Sequence, residues 1–161
     1  MKRILFLSFA VVFCFQLKAQ LIAEHAIGIR FGDNDGFGGE VTYQRKLKEN
    51  KRVEIDLGYR DNSNYDAFKL SGILQWVHNI DEGFNWYVGF GAGIGSWTNN
   101  NLDITNDKNG LFVNADGNIG IEYDFNIPLL ISLDFRPEIG VLGDYDNDTD
   151  LDLALSLRYQ F

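Results

Sequence analysis

The final stretch of the chain, Leu151-Asp-Leu-Ala-Leu-Ser-Leu-Arg-Tyr-Gln-Phe161, alternates strictly between two kinds of side chain. The odd positions are apolar or aromatic and end on Tyr159 and Phe161, whereas the even positions are polar or small. Successive side chains of a β-strand point to opposite faces, whereas a helix would distribute both kinds around its axis. The pattern therefore predicts a strand with one apolar and one polar face.

Earlier segments of the chain alternate in the same way. They are residues 21–32, 37–45, 51–60, 66–78, 84–97, 111–124 and 128–138. Turn-forming residues separate them, for example at 33–36 and 48–51, and two longer acidic connections fall at 98–110 and 140–148. Eight strands joined by short turns and longer loops predict an all-β fold, a closed eight-stranded antiparallel up-and-down β-barrel.

Residues 1–19 have the layout of a secretory signal peptide. Lys2 and Arg3 form a positive start, an apolar run follows over 4–15, and Ala19 offers a small residue at the cleavage point. The apolar run is too short to span a membrane as a helix. We therefore predict a signal peptide over 1–19 and a barrel domain over 20–161.

The composition narrows the class of function. The chain carries 14 basic and 23 acidic residues, a net charge of −9, which disfavours binding to nucleic acid. Residues 1–19 contain three basic and no acidic residues, so their removal takes the net charge from −9 to −12. Cys14, the single cysteine, lies in the same segment. An exported barrel would therefore contain no disulfide and no cysteine-based metal site.

The position of the aromatic residues distinguishes two kinds of barrel. A soluble, lipocalin-like barrel binds a ligand against an apolar interior, whereas a membrane barrel turns its apolar face to lipid. Aromatic residues of the apolar face collect near both strand ends around an aliphatic band, which favours the transmembrane barrel. The soluble barrel stays as the alternative. At one end the residues are Tyr43, Trp76, Trp86, Tyr123, Tyr159 and Phe161, and at the other Phe31, Tyr59, Phe68 and Phe135.

The polar face would then fill a narrow lumen, because eight strands enclose little more than their own side chains. We predict a polar network there of Glu24, Arg30, Glu40, Asp56, Lys69, Arg136, Asp152 and Arg158. Further polar-face residues are Glu54, Arg60, Gln75, Tyr87, Trp97, Asp116, Asn118, Glu122 and Asp134. Strand counting predicts the pairs Arg30–Glu40, Arg158–Glu24, Lys69–Asp56, and Arg136 with Asp150 or Asp152. The lumen should be plugged, with a narrow water or ion path as the alternative.

The closing run, Leu151-x-Leu-x-Leu-x-Leu-x-Tyr159-x-Phe161, resembles the C-terminal strand of Gram-negative outer-membrane β-barrels. With the signal peptide and eight strands, the barrel domain resembles the small OmpX/OmpA-type barrels over its whole length. This resemblance implies an outer-membrane location and makes Tyr159 and Phe161 the signal that the barrel-insertion machinery reads. We expect outer-membrane lipid and lipopolysaccharide as partners, no nucleic acid, and a monomer.

The sequence offers little catalytic chemistry. His25 and His78 fall near the ends of strands that are not neighbours, so no Ser–His pair within hydrogen-bond reach is predicted. The last loop has acids at alternate positions but lacks the glycine and the final glutamate of an EF-hand. These weak metal candidates are Asp144, Asp146, Asp148 and Asp150. We expect no catalysis, no cofactor and a structural or surface-interaction role, with a lipid-modifying enzyme as a further alternative.

Overall fold

The computed structural model describes residues 22–32, 38–61, 65–99, 109–143 and 149–161. Their strands are β1 (His25–Gly32), β2 (Glu40–Lys48), β3 (Lys51–Asp61), β4 (Tyr65–Asp81), β5 (Phe84–Asn99), β6 (Asn109–Asp124), β7 (Leu129–Leu142) and β8 (Thr149–Gln160). No helix long and apolar enough to cross a membrane is found in this part of the chain.

Each strand pairs antiparallel with the next, and β8 pairs with β1, so the sheet closes into a barrel. At one end of this seam, the backbones of His25 and Phe161 exchange two hydrogen bonds, of 3.0 and 2.9 Å. We call this the terminal end of the barrel, and we call the opposite end, where Gly32 faces Ala154, the loop end. The predicted fold class is confirmed.

The turns at the terminal end are short. Glu49 and Asn50 join β2 to β3, and Glu82 and Gly83 join β4 to β5. Gly83 has a φ of 78°, and a Cβ there would lie 2.8 Å from the carbonyl oxygen of Asp124. Only glycine adopts this left-handed conformation without strain while allowing so close an approach. The turn therefore depends on Gly83.

The strands extend further at the loop end than the sequence pattern predicts. β5 continues to Asn99, β6 begins at Asn109 and β7 continues to Leu142. The apolar alternation fades there, but pairing with the neighbouring strand keeps the backbone extended. The predicted turn at 33–36 and the central parts of the longer connections, 100–108 and 144–148, lie outside the described residues.

The two faces of the barrel differ in polarity, and the apolar face points outward. Phe90 and Leu111 are 63% and 70% exposed on the outside, whereas Arg30 and Arg136 have no exposed surface inside. A water-soluble protein rarely exposes a continuous apolar surface of this kind. The barrel therefore has the inverse of the polarity that a lipocalin-like protein needs.

Most aromatic residues of the outward face lie near the ends of the strands, but Phe90 lies in the middle of β5, and one predicted position needs correction. Tyr59 faces Phe68 near the loop end, where β3 ends and β4 begins. Phe135, which was predicted at the same end, lies instead halfway along β7, opposite Ile119 and Leu153. The prediction was wrong because β7 continues well beyond the apolar alternation from which its end was judged.

Candidate functional site in the barrel interior

Three arginines lie at the centre of the interior, one on each of β1, β7 and β8. Arg30, Arg136 and Arg158 are all fully buried. Arg30 forms ion pairs with three carboxylates, at 2.8 Å to Asp134, 3.0 Å to Glu40 and 2.6 Å to Asp152. Three acids from three different strands therefore neutralise a single guanidinium.

Two glutamates connect the arginines to one another. Glu40 accepts from both Arg30 and Arg136, at 3.0 and 3.4 Å. Glu54 accepts from Arg136 at 3.1 Å through Oε1 and from Arg158 at 2.9 Å through Oε2. Arg136 also donates to Asp56 at 2.7 Å. The arginines and their acids therefore form one continuous network.

A second ion pair lies towards the terminal end and is joined to the first network by amides. Arg52 contacts Glu122 at 2.7 Å and donates from Nε to Gln75 at 2.6 Å. Gln75 donates to Asn118 at 2.9 Å, and Asn118 donates to Asp134 at 3.4 Å. The hydrogen bonds thus continue from Arg52 to the carboxylate that binds Arg30.

A third group lies towards the loop end. Lys69 of β4 forms an ion pair with Glu138 of β7. Asn114 of β6 donates to Asp116 on its own strand and, at 3.4 Å, to Glu138. All these polar side chains are buried or nearly so, where an unpaired charge costs several kcal/mol. Each group is therefore held in place by its partners.

Apolar side chains close the interior at both ends of this polar layer. At the terminal end, Ile22 packs with Val77 and Tyr87. At the loop end, Ala67 and Phe112 form a buried cluster, with Trp97 against it. Gly95 makes room for this cluster, because a Cβ there would lie 2.2 Å from the Phe112 ring.

Little free space remains inside the terminal end. A cavity of about 10 Å³ lies there, lined in part by Gln44, Arg52 and Glu122. This is about the space that one water molecule needs. The described interior is therefore a polar layer between two apolar caps, and this cavity has room for about one water molecule.

Seven of the eight residues predicted for the polar network lie in this interior. They are Arg30, Glu40, Asp56, Lys69, Arg136, Asp152 and Arg158. Glu24 does not, and its placement is corrected here: it precedes β1 and is exposed. Glu24 shares the inward parity of Ala26 and Arg30, but it precedes the first residue of β1, where the backbone is no longer paired as a strand and parity no longer determines the direction of a side chain.

The structure corrects most of the predicted pairs. Arg158 binds Glu54 rather than Glu24, and Lys69 binds Glu138 while Gly58 is its neighbour on β3. Strand counting assumes that partners are adjacent in the sheet, but arginine and lysine are long enough to cross the lumen.

Two predicted pairs, those of Arg30 and Arg136, have the predicted neighbour in the strand ladder, but only one of them forms the predicted ion pair. Arg30 lies opposite Glu40 in the ladder and forms an ion pair with it. Arg136 lies opposite Asp152, as counted, but its ion pairs go to Glu40, Glu54 and Asp56, while Asp152 binds Arg30. Register alone therefore does not determine the partner.

Sequence reasoning missed Arg52 and the apolar caps. Arg52 shares the inward parity of Glu54, so the alternation contained the signal, but its position beside the turn at 48–51 obscured it. The inward side chains of Ile73, Val77 and Phe112 break the rule that inward positions are polar. Their parity is inward, but apolar residues at inward positions are not distinguished from outward ones by the alternation. Tyr87 and Trp97, which were predicted on the polar face, belong to the two caps.

The two histidines lie apart, on β1 and β4, and both contact aromatic rings. His25 Nδ1 and Tyr43 Oη are hydrogen-bonded at 2.8 Å, and His78 stacks on Trp86 with ring centroids 4.7 Å apart. Among the described residues no group of three or more His, Cys, Asp or Glu side chains is arranged to hold a metal ion. Asp144, Asp146 and Asp148 lie outside those residues, as does the side chain of Asp150.

A closed eight-stranded barrel with an apolar outside and a charged inside is the fold of the small outer-membrane β-barrels. Solved structures confirm this likeness. The N-terminal barrel domain of Pseudomonas aeruginosa OprF has a TM-score of 0.69 and 12% identity, over 86% of this chain and 98% of that one. Neisserial surface protein A has a TM-score of 0.62 and 11% identity, over 85% and 94%.

A third similar structure is Ail, the attachment invasion locus protein of Yersinia pestis. It has a TM-score of 0.52 and 15% identity, over 85% of this chain and 96% of that one. No family model and no curated protein matches the sequence. At these identities the likeness is one of fold.

Proposed function

We propose that this chain is an integral outer-membrane protein whose barrel is a closed, non-conducting and non-catalytic scaffold, exported by a signal peptide over 1–19. The observation that carries the proposal is the inverted polarity of the barrel. Lipid is the surrounding that stabilises an outward apolar face, because it removes apolar side chains from water. We assign the barrel a structural or surface-interaction role because buried polar side chains fill its described interior.

The aromatic residues support the bilayer as the surrounding medium. Tyr159 and Phe161 are 56% and 61% exposed at the terminal end, and Phe31 and Tyr59 are 54% and 59% exposed near the loop end. Rings of this kind prefer the two membrane interfaces. The C-terminal pair Tyr159 and Phe161 is also available, as an outward surface, to the barrel-insertion machinery.

The packing of the interior supports a barrel without a conducting path. Most charged side chains of the described interior form ion pairs with one another, and Ile22 and Phe112 belong to apolar clusters at opposite ends. An ion would have to displace these side chains and lose its hydration shell. We therefore propose a monomeric scaffold in contact with outer-membrane lipid and lipopolysaccharide, without a cofactor.

Electrophoresis with and without boiling, together with carbonate extraction, tests membrane integration. The refolded chain should migrate faster unheated than boiled, and the protein in envelope fractions should stay with the membrane in carbonate. Release into the soluble fraction would favour the lipocalin-like barrel and contradict the proposal. Channel activity in planar bilayers at neutral pH would contradict the closed interior alone.

The absence of catalysis needs a separate test. Lipid A from cells that produce the chain should have the same mass as lipid A from cells without it. A mass change that disappears when His25 and His78 are replaced by Ala would show a lipid-modifying enzyme instead.

A further inference from the structure

The basic residues of the barrel domain are distributed unevenly. Five of the eleven lie in the interior: Arg30, Arg52, Lys69, Arg136 and Arg158. Four of the other six lie within residues 45–51, at the hairpin between β2 and β3: Arg45, Lys46, Lys48 and Lys51. We call residues 45–51 the basic hairpin. It is a concentrated positive region at the terminal end of an otherwise acidic protein.

The pairing of the hairpin places like charges opposite each other. Lys46 faces Arg52, and Lys48 faces Lys51. Like charges directly opposite in a ladder are destabilising unless an anion compensates them. Arg52 has Glu122 inside the barrel, whereas no carboxylate among the described residues lies within ion-pair distance of Lys48 or Lys51. Lys48 and Lys51 therefore have no ion-pair partner within the described residues, although Glu49 lies between them in the turn.

A β-bulge turns this charge towards the outer surface. The register shifts between Lys46 and Lys48, so Leu47 is the extra residue. Lys51 has the outward parity of Val53 and Ile55, and Lys48 faces it across the ladder, so both lysines belong to the outer surface. Without the bulge, alternation would turn Lys48 inward.

Apolar and aromatic side chains surround these lysines on the outer surface. Leu47 is 54% exposed, and Lys51 Nζ lies 5.5 Å from the centre of the Trp76 ring, against which Lys51 also pairs. A lysine over a tryptophan beside exposed apolar residues is the arrangement expected at the depth of the lipid headgroups. There the tryptophan ring and the methylene chain of the lysine contact the acyl chains, and the ammonium group reaches the phosphate.

We propose that the basic hairpin binds the phosphate headgroups of anionic phospholipid in the membrane leaflet at the terminal end. This inference rests on the proposed membrane insertion. Because the lysines lie on the lipid-facing surface beside Leu47, we expect the anion that binds them to be the headgroup of a lipid, whose acyl chains contact the same surface. The hairpin of β4 and β5 instead carries Asp81 at the end of β4 and Glu82 in the turn, so the lipid preference is confined to one sector of the barrel.

Native mass spectrometry of the refolded chain, residues 20–161, in dodecyl maltoside tests the proposal. The chain is titrated with phosphatidylglycerol or with phosphatidylcholine of the same acyl chains. We expect phosphatidylglycerol to bind at least about 25-fold more tightly, since each of the two lysines contributes about fivefold. Replacing both lysines (Lys48→Gln with Lys51→Gln) should weaken phosphatidylglycerol binding by about fivefold for each lysine, the usual effect of one basic residue near an anionic surface.

The control removes the same charge from elsewhere. Arg60→Gln with Lys108→Gln removes two basic residues from outside the basic hairpin and should change phosphatidylglycerol binding less than about twofold. If the lysine pair does not refold, the single variant Arg45→Gln replaces it, with a loss of about fivefold expected. Unheated electrophoresis verifies that each variant is folded.

Two results would overturn the lipid assignment. Equal phosphatidylglycerol binding by the lysine variant and the control would remove the site. Displacement of phosphatidylglycerol by an equal concentration of inorganic phosphate would show a general anion site rather than a lipid site. In either case the heat-shifted mobility of a folded barrel would persist, so the proposed function would stand, whereas the loss of that mobility shift in the parent chain would remove both.

Discussion

Arg30 on β1 donates across the lumen to Asp134 on β7, with 2.8 Å between Nη2 and Oδ1. The two strands are not neighbours in the barrel, since β1 pairs with β2 and β8. A long guanidinium side chain can span this gap, and its planar array of donors can bind several carboxylates at once. The ionic network therefore braces the barrel across its interior, in addition to the ladders around its wall.

Removing Arg136 should strongly destabilise the barrel. Arg136→Ala leaves Glu54 and Asp56 without a shared cation in a buried site, which costs about 3–5 kcal/mol of unfolding free energy. Urea unfolding in detergent, followed by tryptophan fluorescence, measures this loss. The exposed turn variant Glu82→Gln should stay within about 0.5 kcal/mol. A loss below about 1 kcal/mol for Arg136→Ala would contradict a fully buried network.

Two glycines should respond oppositely to the same small substitution. Gly95→Ala would place a Cβ 2.2 Å from the Phe112 ring and 2.5 Å from the backbone oxygen of Phe68, so we expect a loss of about 1–3 kcal/mol. Gly72→Ala, on the outward face of the partner strand, meets nothing within 4 Å and should be neutral or slightly stabilising. Comparison of the two urea midpoints is the measurement. Equal midpoints would show that the loop-end cap is loosely packed.

The outward face should tolerate arginine according to depth in the bilayer. Leu153→Arg, opposite Phe135 in the middle of β7, should cost about 2–4 kcal/mol in lipid vesicles, and Leu111→Arg near the loop end about 0–1 kcal/mol. Unfolding in guanidinium from vesicles gives both values. If the two variants were equally stable, the apolar band would not be lining a membrane.

The interior should be closed to solutes larger than water. Since residues 20–161 contain no cysteine, Ser156→Cys introduces a single reporter at an inward site that is 1% exposed. Ser156 Oγ has no hydrogen-bond partner within the described residues, so the change should disturb little. A charged thiol reagent should leave this cysteine unmodified in the folded barrel and react rapidly with Glu82→Cys in the exposed turn. Comparable rates would mean that the caps are open.

The alternation of side chains was sufficient to predict the strands and their faces, because parity depends only on local geometry. Parity also placed Arg30 and Arg158 on the inward face, where both are buried. It could not predict that Arg158 binds Glu54, because that contact depends on how the strands are staggered around the closed barrel. Nor could parity identify Val77 and Phe112 as caps. The pattern predicts polar residues at inward positions, and only the closed barrel shows that these two apolar residues lie at the ends of the lumen.

The bracing of the lumen has a consequence for how the chain folds. Arg158 reaches Thr42 and Glu54, which lie 116 and 104 positions away in the sequence, and Arg30 reaches Asp134, 104 positions away. Such contacts form only after distant segments have been brought together, which makes them late events. Until β8 pairs with β1, the arginines and their acids stay hydrated because their partners are not yet in place. The pairing of β8 with β1 and the dehydration of the interior should therefore occur as a single cooperative step.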